Sequence, residues 1–434
     1  MKKITTKKEP FNSPKGMRDI IGDEYYHFQG FFEKAQEVAI YYGFKPIETP
    51  ILEKEELFKT TIGIGTDVVD KEMYVLKTKG GDTLAMRPEH TAGKMRAYIE
   101  QGMQNQPQPV MLYSYGPVFR HDNPQKGRFR QFYQFDMDAF GSEKSILDAL
   151  VIKSTMIILE ECGAKNLTVD INSIGDKECR PAYIRELISY YKKHINALPA
   201  IDRERLKTNP LRILDSKEPK TKEINENAPD SVSFLCSNCK QHFKEVLEYV
   251  EQMNLPYRIN KNLVRGLSYY TRTVFEIMQE SENEDGTPGT PITIAGGGRY
   301  DYLAKQIGNK KDVPAVGSSI GVDRVVMSPW YEKLAPRIIK KPKIYFIQLG
   351  FEAKLKSLNI IEMLRKAKIP ITQSLSKDSL GSQLAVAEKL GVPYTLIFGQ
   401  KEALEDSVII RNMETRSQET VKLSVFLDYL KKLK

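Results

Sequence analysis

Between Arg120 and Asp138 the chain reads RHDNPQKGRFRQFYQFDMD, and four cations, Arg120, Lys126, Arg128 and Arg130, fall within eleven positions. A strongly alternating segment begins there. Its odd positions are Phe129, Tyr133, Phe135 and Met137, broken by Gln131. Its even positions are Arg130, Gln134, Asp136 and Asp138, broken by Phe132. Side chains alternate across a strand, so the pattern predicts an apolar face backing a polar one. Guanidinium groups grip phosphate bidentately, and an Asp beside a Gln suits a ligand ammonium. A ligand carrying both charges would fit along one such strand.

If the ligand is a nucleotide, arginines must hold its phosphates. Neither G-x-x-x-x-G-K-[ST] nor G-x-G-x-x-G occurs, and Gly63-Ile64-Gly65 has no third glycine in register. Gly296-Gly297-Gly298 precedes Arg299 and fits neither template, which leaves close backbone approach or a tight strand-to-helix turn as its use. Arg324, in the first turn of a predicted helix, is a further phosphate candidate, and the helix dipole adds weakly to it. A structural salt bridge is the competing role for each arginine singly. The run LVRGLSYYT places Arg265 close to Tyr269 and Tyr270. On a regular strand only one of the two tyrosines would share a face with Arg265. Cys236 and Cys239 form a C-x-x-C followed by His242, which could start a zinc site but needs a fourth ligand. Cys162 and Cys179 are distant in sequence and make no second pair. Phe234, Leu235, Cys239, His242, Phe243, Val246 and Leu247 fall at helical spacing, so packing is the competing role, and no protein residue is assigned to a metal.

Strands and helices must position these groups. Residues 110–120 are rich in β-formers and pair with the alternating segment in a hairpin whose long loop spans 123–127. Residues 23–42 predict an amphipathic helix stopped at Gly43. Residues 73–77 and 83–86 predict a hairpin, 91–101 a helix with Thr91 as a cap, and 145–162 another helix. The stretch 175–256 is helix-rich and lysine-rich around a polar, breaker-rich centre, and reads as an insertion. Strands resume over 263–277 and 291–294, separated by a polar loop over 281–290. The three glycines are expected to open a helix over 300–307. A last strand over 313–320 and a helix over 322–327 follow, and 329–342 reads as a linker. Beyond it, strands alternating with helices predict a small α/β domain with a mainly parallel sheet.

The chain has 434 residues, too many for one ordinary core, with 41% hydrophobic and 28% charged residues. Of the net charge of +9, residues 331–434 carry +8, from 19 Lys+Arg against 11 Asp+Glu. A basic terminal domain favours an acidic partner, with nucleic acid foremost. No apolar run approaches the length of a membrane helix, and the basic start MKKITTKKEP has no apolar core after it, so a cytoplasmic protein is expected. Four cysteines imply no disulfide framework.

These residues resemble a known family. PKGMRDIIGDE, TIGIGTDVVDKEMYVLK, RPEHTAG, GPVFRHDNPQKGRFRQF, LVRGLSYYTRTVFE, AGGGRYDYL and PAVGSSIGVDR occur in the order found in histidyl-tRNA synthetases, which are class II aminoacyl-tRNA synthetases. The resemblance implies an α+β catalytic core over 1–174 and 257–328, built on a mainly antiparallel six-stranded sheet. It also implies a helical insertion domain over 175–256 and a C-terminal α/β anticodon-binding domain over 343–434. It implies ATP-dependent ligation of histidine to tRNA(His) through a histidyl-adenylate, with Mg²⁺ on the outer phosphates, in a homodimer. Glu89, Thr91, Gln134, Asp138, Tyr269 and Tyr270 would bind histidine. Arg120 and Arg265 would be catalytic, Arg120, Arg128 and Arg324 would hold ATP, and Gln125 in the 123–127 loop would meet the tRNA acceptor end. Asp122, Asp138 and Asp323 stand where longer acids are usual, and Ser268 replaces an acid. The rival readings are a regulatory paralogue of histidine biosynthesis, which would lack the C-terminal domain and erode LVRGL, and a nucleic-acid-binding scaffold without catalysis.

Overall fold

The computed structural model describes residues 11–63, 65–125, 127–280, 289–337, 339, 342–374 and 376–432. The basic start over 1–10, Ile64, Lys126, most of the 281–290 loop and part of the 329–342 stretch lie outside the described residues. The chain divides into two compact units, Met1–Pro336 and Arg337–Lys434.

The first unit contains strands β1 (Lys45–Pro46), β2 (Leu52–Lys54), β3 (Val75–Lys77), β4 (Thr83–Met86), β5 (Val110–Phe119), β6 (Gln131–Phe140), β7 (Leu167–Ser173), β8 (Tyr257–Ile259), β9 (Thr271–Gln279), β10 (Ile292–Arg299) and β11 (Ala315–Gly321). Its helices are α1 (Gly22–Tyr41), α2 (Glu55–Ile62), α3 (Thr91–Glu100), α4 (Ile146–Glu161), α5 (Arg180–Lys193), α6 (Ala200–Thr208), α7 (Pro219–Asn225), α8 (Ser237–Gln252), α9 (Leu303–Gln306) and α10 (Val322–Val326). The main sheet runs β1-β5-β6-β11-β10-β9-β7-β8. Its six long central strands are antiparallel neighbours, and the short β1 and β8 add parallel edges. Strands β2, β4 and β3 form a small second sheet.

The alternation read from the sequence sets the two faces. Phe135, Met137 and Ala139 of β6 join Phe31, Ile152, Phe275 and Ile320 in one buried cluster under α1 and α4. Phe140, Leu112 and Val274 point the other way, into a second cluster with Tyr98, Tyr183 and Tyr300. Both faces of the sheet are therefore covered, and Asp136 and Asp138 are buried rather than solvated.

Three local expectations are overturned. The glycines at 296–298 do not open a helix but lie inside β10. A Cβ on Gly297 would run into the backbone carbonyl of Gly317, so bare backbone is what lets β10 and β11 approach here. The strand expected over 263–277 begins only at Thr271, and residues 263–270 form irregular turns. Thr91 does not cap α3. It is the first helical residue, and the Glu89 carboxylate accepts from the Thr91 and Ala92 amides at 2.5 and 2.9 Å instead.

In the second unit, β12 (Ile344–Gln348), β13 (Ile371–Gln373), β14 (Tyr394–Phe398), β15 (Ser407–Asn412) and β16 (Gln418–Lys422) form a sheet in the order β13-β12-β14-β15-β16. Helices α11 (Phe351–Lys366), α12 (Leu380–Leu390), α13 (Gln400–Leu404) and α14 (Phe426–Lys432) accompany it. The first three strands in that order are parallel and the last two antiparallel. The sheet is thus mixed rather than mainly parallel, because the short connection after β15 returns the chain directly as a hairpin.

Candidate active site

Cross-strand register puts Gln134 between Gly116 and Gly321, Asp136 between Ser114 and Ser319, and Asp138 between Leu112 and Gly317. Gly296 of β10 pairs with Ser319 on one side and with Glu276 on the other. Paired residues share a face. The polar side chains of β6 therefore rise from a floor of glycines and serines, which leaves room above it for a ligand. Unpartnered buried polar atoms collect on this floor: Ser114 Oγ, Gln134 Oε1, Asp136 Oδ2 and Ser319 Oγ. Buried polar groups normally find partners, so such a cluster marks a place built to receive something.

One wall is the start of α3. Glu89 and Thr91 are buried there, and burial raises the Glu89 carboxyl, with the Ala92 and Thr91 amides, the Thr91 hydroxyl and the charge of Lys94 opposing it. Lys94, fully buried on the same helix, ion-pairs with Asp138, to which the Tyr300 phenol also donates. His90 is held neutral by burial and by the cations Arg87 and Lys94, and its Nε2 stands 3.7 Å from Asp136. A second wall is aromatic. Tyr269 and Tyr270 are 4.7 Å apart between ring centroids, and Tyr300 lies 5.6 Å from Tyr269. The Thr91 hydroxyl interacts with the Tyr269 phenol. Because 263–270 is not a strand, both tyrosines stand with Arg265, whose guanidinium is 5.8 Å from the Tyr270 ring.

Cations gather at the other end. Arg265 ion-pairs with Glu276 above Gly296, where a Cβ would stand 2.7 Å from its guanidinium. Burial, the largest influence, disfavours the Arg265 charge, but Glu276 together with Tyr270 and Tyr269 outweighs it and raises its pKa. Arg324 donates to the Thr293 carbonyl at 2.6 Å. Its pKa is lowered by burial, then by Arg128, with Arg120 adding to the effect and Glu276 opposing it. Three guanidiniums close enough to feel one another describe a site prepared for an anion. Arg120 is fixed by the Pro88 carbonyl at 2.9 Å and lies over Phe132. Arg128 pairs with Asp122 at 3.0 Å, and exposed Gln125 forms an isolated bridge with it.

Not every clustered arginine joins the site. Arg130 turns away, donating to the Asp122 and Lys15 carbonyls while its stem packs on Gly16. Asp323 accepts from the Tyr133 amide at 2.6 Å and from Arg18 at 3.1 Å, so it ties α10 to β6 and to the segment before α1. Ser268, exposed, rests on Gly63. Sequence reasoning passed over Asp136, Lys94, Tyr300 and Glu276 as site residues. Asp136 had a signal, since it alternates with Gln134 and Asp138; Lys94 and Tyr300 had none beyond their neighbours.

Asp136 gives a direct test of this burial. Desolvation pushes its carboxyl up to about 7, with Lys94 opposing and Asp138 adding. The folded state then holds the proton more tightly than the unfolded one, so stability is lost as pH rises through that range. Asp136→Asn is expected to gain stability over the parent on going from pH 5 to pH 8, by about 2 kcal/mol. Urea unfolding at both pH values measures it, and an equal difference at the two would place the carboxyl in water.

Known proteins match this chain along nearly its whole length. The profile described as histidyl-tRNA synthetase matches residues 16–325, and that of an anticodon binding domain matches 343–433. A histidine–tRNA ligase of Dehalococcoides mccartyi is 39% identical over 424 residues, covering 97% of this chain and 99% of its own. One from Thermodesulfovibrio yellowstonii is 38% identical over 421 residues, covering 96% and 97%. The apo histidyl-tRNA synthetase of S. aureus has the same fold, with a TM-score of 0.79 at 30% identity over 98% of this chain and 100% of that one. With its catalytic and anticodon-binding regions both matched, the chain belongs to the histidyl-tRNA synthetase family.

Proposed function

We propose that histidine lies along the polar face of β6, its ammonium toward Gln134 and the carboxylates of Glu89 and Asp138, its imidazole against Tyr269 and Tyr270. Thr91 steadies the Tyr269 phenol. The reaction is ATP-dependent ligation of histidine to tRNA(His) through a histidyl-adenylate. The observation that carries the assignment of residues is the floor of glycine and serine, with its unpartnered Gln134 and Asp136 atoms, running up to the cluster of Arg120, Arg128, Arg265 and Arg324.

In the first step the histidine carboxylate attacks the α-phosphorus of ATP in line, forming the mixed anhydride and releasing pyrophosphate. Negative charge grows on the equatorial oxygens, and Arg120 and Arg265 are fixed donors for it. Arg128 and Arg324 hold the triphosphate, which requires Arg128 to exchange Asp122 for phosphate. Glu276, a half-buried carboxylate beside Arg265 that also accepts from the Thr293 hydroxyl at 3.0 Å, fits a Mg²⁺ ligand. Mg²⁺, when bound, neutralises the outer phosphates. In the second step the terminal ribose 3′-hydroxyl of the tRNA attacks the adenylate carbonyl, giving histidyl-tRNA and AMP. Gln125, on the exposed loop, meets the acceptor end.

Residues 1–174 and 257–328 are the catalytic core, 175–256 the helical insertion, 329–342 the linker and 343–434 the anticodon-binding domain. The protein works in the cytoplasm as a homodimer. Ile51, Leu52, Val75 and Leu76, exposed on or beside the small β2-β4-β3 sheet, support a subunit contact there. Among the described residues no helix is long and apolar enough to cross a membrane.

The test is exchange of labelled pyrophosphate into ATP, which should require histidine. Gln134→Leu is expected to raise the KM for histidine at least about 10-fold while kcat changes much less, as loss of a ground-state contact does. Exchange without histidine, or an unchanged KM in that variant, would reject this placement of the amino acid. Sedimentation of the purified chain at twice the monomer mass is the expected result for the dimer.

A further inference from the structure

Away from this site, two short segments converge on one point. Asp176, Cys179, Cys236 and Cys239 bring one carboxylate oxygen and three sulfurs within 4.8 Å of one another. Asp176 and Cys179 follow β7, and Cys236 and Cys239 begin α8. Asp176-x-x-Cys179 thus supplies the second pair that the C-x-x-C lacks. His242 is not part of it, since its Nε2 faces Asp148 at 3.2 Å.

Apolar packing does not explain the arrangement, in which the Cys179 thiol donates to Asp176 Oδ1 at 3.5 Å. A carboxylate set among three thiols gains nothing from apolar burial, and Asp176, Cys179 and Cys239 are all buried. Cys179 and Cys236 occupy the N-cap positions of two long helices, α5 and α8, and neither side chain is used as a cap. Arg272 lies 3.6 Å from Asp176, a cation placed to offset a negatively charged ligand set. Asp176 is already oriented, accepting from the Glu178 and Cys179 amides at 3.0 and 3.3 Å. Such outer contacts are what fix metal ligands in place.

We propose that Asp176, Cys179, Cys236 and Cys239 form a structural zinc site. Tetrahedral zinc places its ligand atoms about 3.3–3.8 Å apart, so a contraction of roughly an ångström closes the cluster. Three thiolates and one carboxylate fill all four positions and leave none for substrate, which makes the role structural. The ion would tie the turn after β7 to the first turn of α8. That turn is also wired to the aromatic wall, because Arg180 donates to the carbonyls of Gly175 at 2.9 Å and Tyr270 at 2.7 Å.

The experiment is metal analysis of full-length protein purified without chelator. About one zinc per chain is expected. Exchange for cobalt should give the visible bands of a tetrahedral ion and a thiolate charge-transfer band in the near ultraviolet. Cys236→Ser, which changes the least buried ligand, should weaken zinc binding at least about 100-fold, since even outer contacts are worth 10–100-fold. Should that variant not fold, chelating the parent and titrating zinc back, with the thermal midpoint falling and recovering, reads the same property. Parent protein that stays zinc-free after dialysis against zinc overturns the proposal. So does zinc content unchanged by Cys236→Ser, or a Cys236–Cys239 disulfide in freshly isolated protein.

Discussion

Arg265→Ala is expected to lower histidine-dependent ATP–pyrophosphate exchange by about 10²–10³-fold, the usual effect of removing one preorganised donor from a developing oxyanion. The fold should survive. Arg265 is half-buried, sits on an irregular segment and packs on bare backbone at Gly296 rather than in an apolar core. Its ionic partner, Glu276, keeps the Thr293 hydroxyl at 3.0 Å once the guanidinium is gone. Arg265→Lys separates charge from shape. It retains a cation but not the fork that spans two phosphate oxygens, so a recovery of less than about a tenth is expected. Steady-state exchange across both substrates, with circular dichroism as the control for folding, decides the matter. A variant within about threefold of the parent would take Arg265 out of the mechanism.

Arg299→Met is expected to do the opposite: little direct effect on chemistry and a loss of about 3–5 kcal/mol in stability. Arg299 is fully buried and its guanidinium is saturated. It donates to Asp148 at 2.8 Å, to Asp301 at 3.1 Å, and to the carbonyls of Ser142 at 3.2 Å and Lys144 at 2.9 Å. Burial alone would raise the Asp148 carboxyl, but Arg299 and His242 hold it below its ordinary value. The paired carboxylate therefore contributes stability above the unfolded carboxylate range, lost as pH falls through its depressed folded value. Without Arg299 it is a buried charge with only His242 beside it. Arg299→Met with Asp148→Leu should recover part of the loss, because removing both charges costs less than stranding one. Thermal unfolding of the three proteins at pH 7 tests this, and a single variant within about 1 kcal/mol of the parent would contradict it.

The β5–β6 hairpin was legible because alternation is a local signal: Phe135 and Met137 went to one core, Gln134, Asp136 and Asp138 to the floor. The β10 glycines misled because three in a row resemble a turn, whereas their use is a close strand–strand approach set by Gly317, distant in sequence. β16 went unseen because QETVK is polar and only Val421 in it is buried, as suits an edge strand. Lys94 was invisible because a lysine in a helix normally faces water, and only the fold brings Asp138 to it. Asp176 and Cys179 suffered the same way, since their companions Cys236 and Cys239 arrive 57 to 63 positions later by way of the whole helical segment.

Gly296 has a simple corollary for how such a sheet can drift over time. The cation above it is seated by a hydrogen atom, so the mildest replacement at that position, alanine, would push the guanidinium off its perch while leaving every strand ladder intact. A lineage could thus lose its chemistry through one methyl group and keep a sound scaffold, silent in turnover yet unchanged in silhouette.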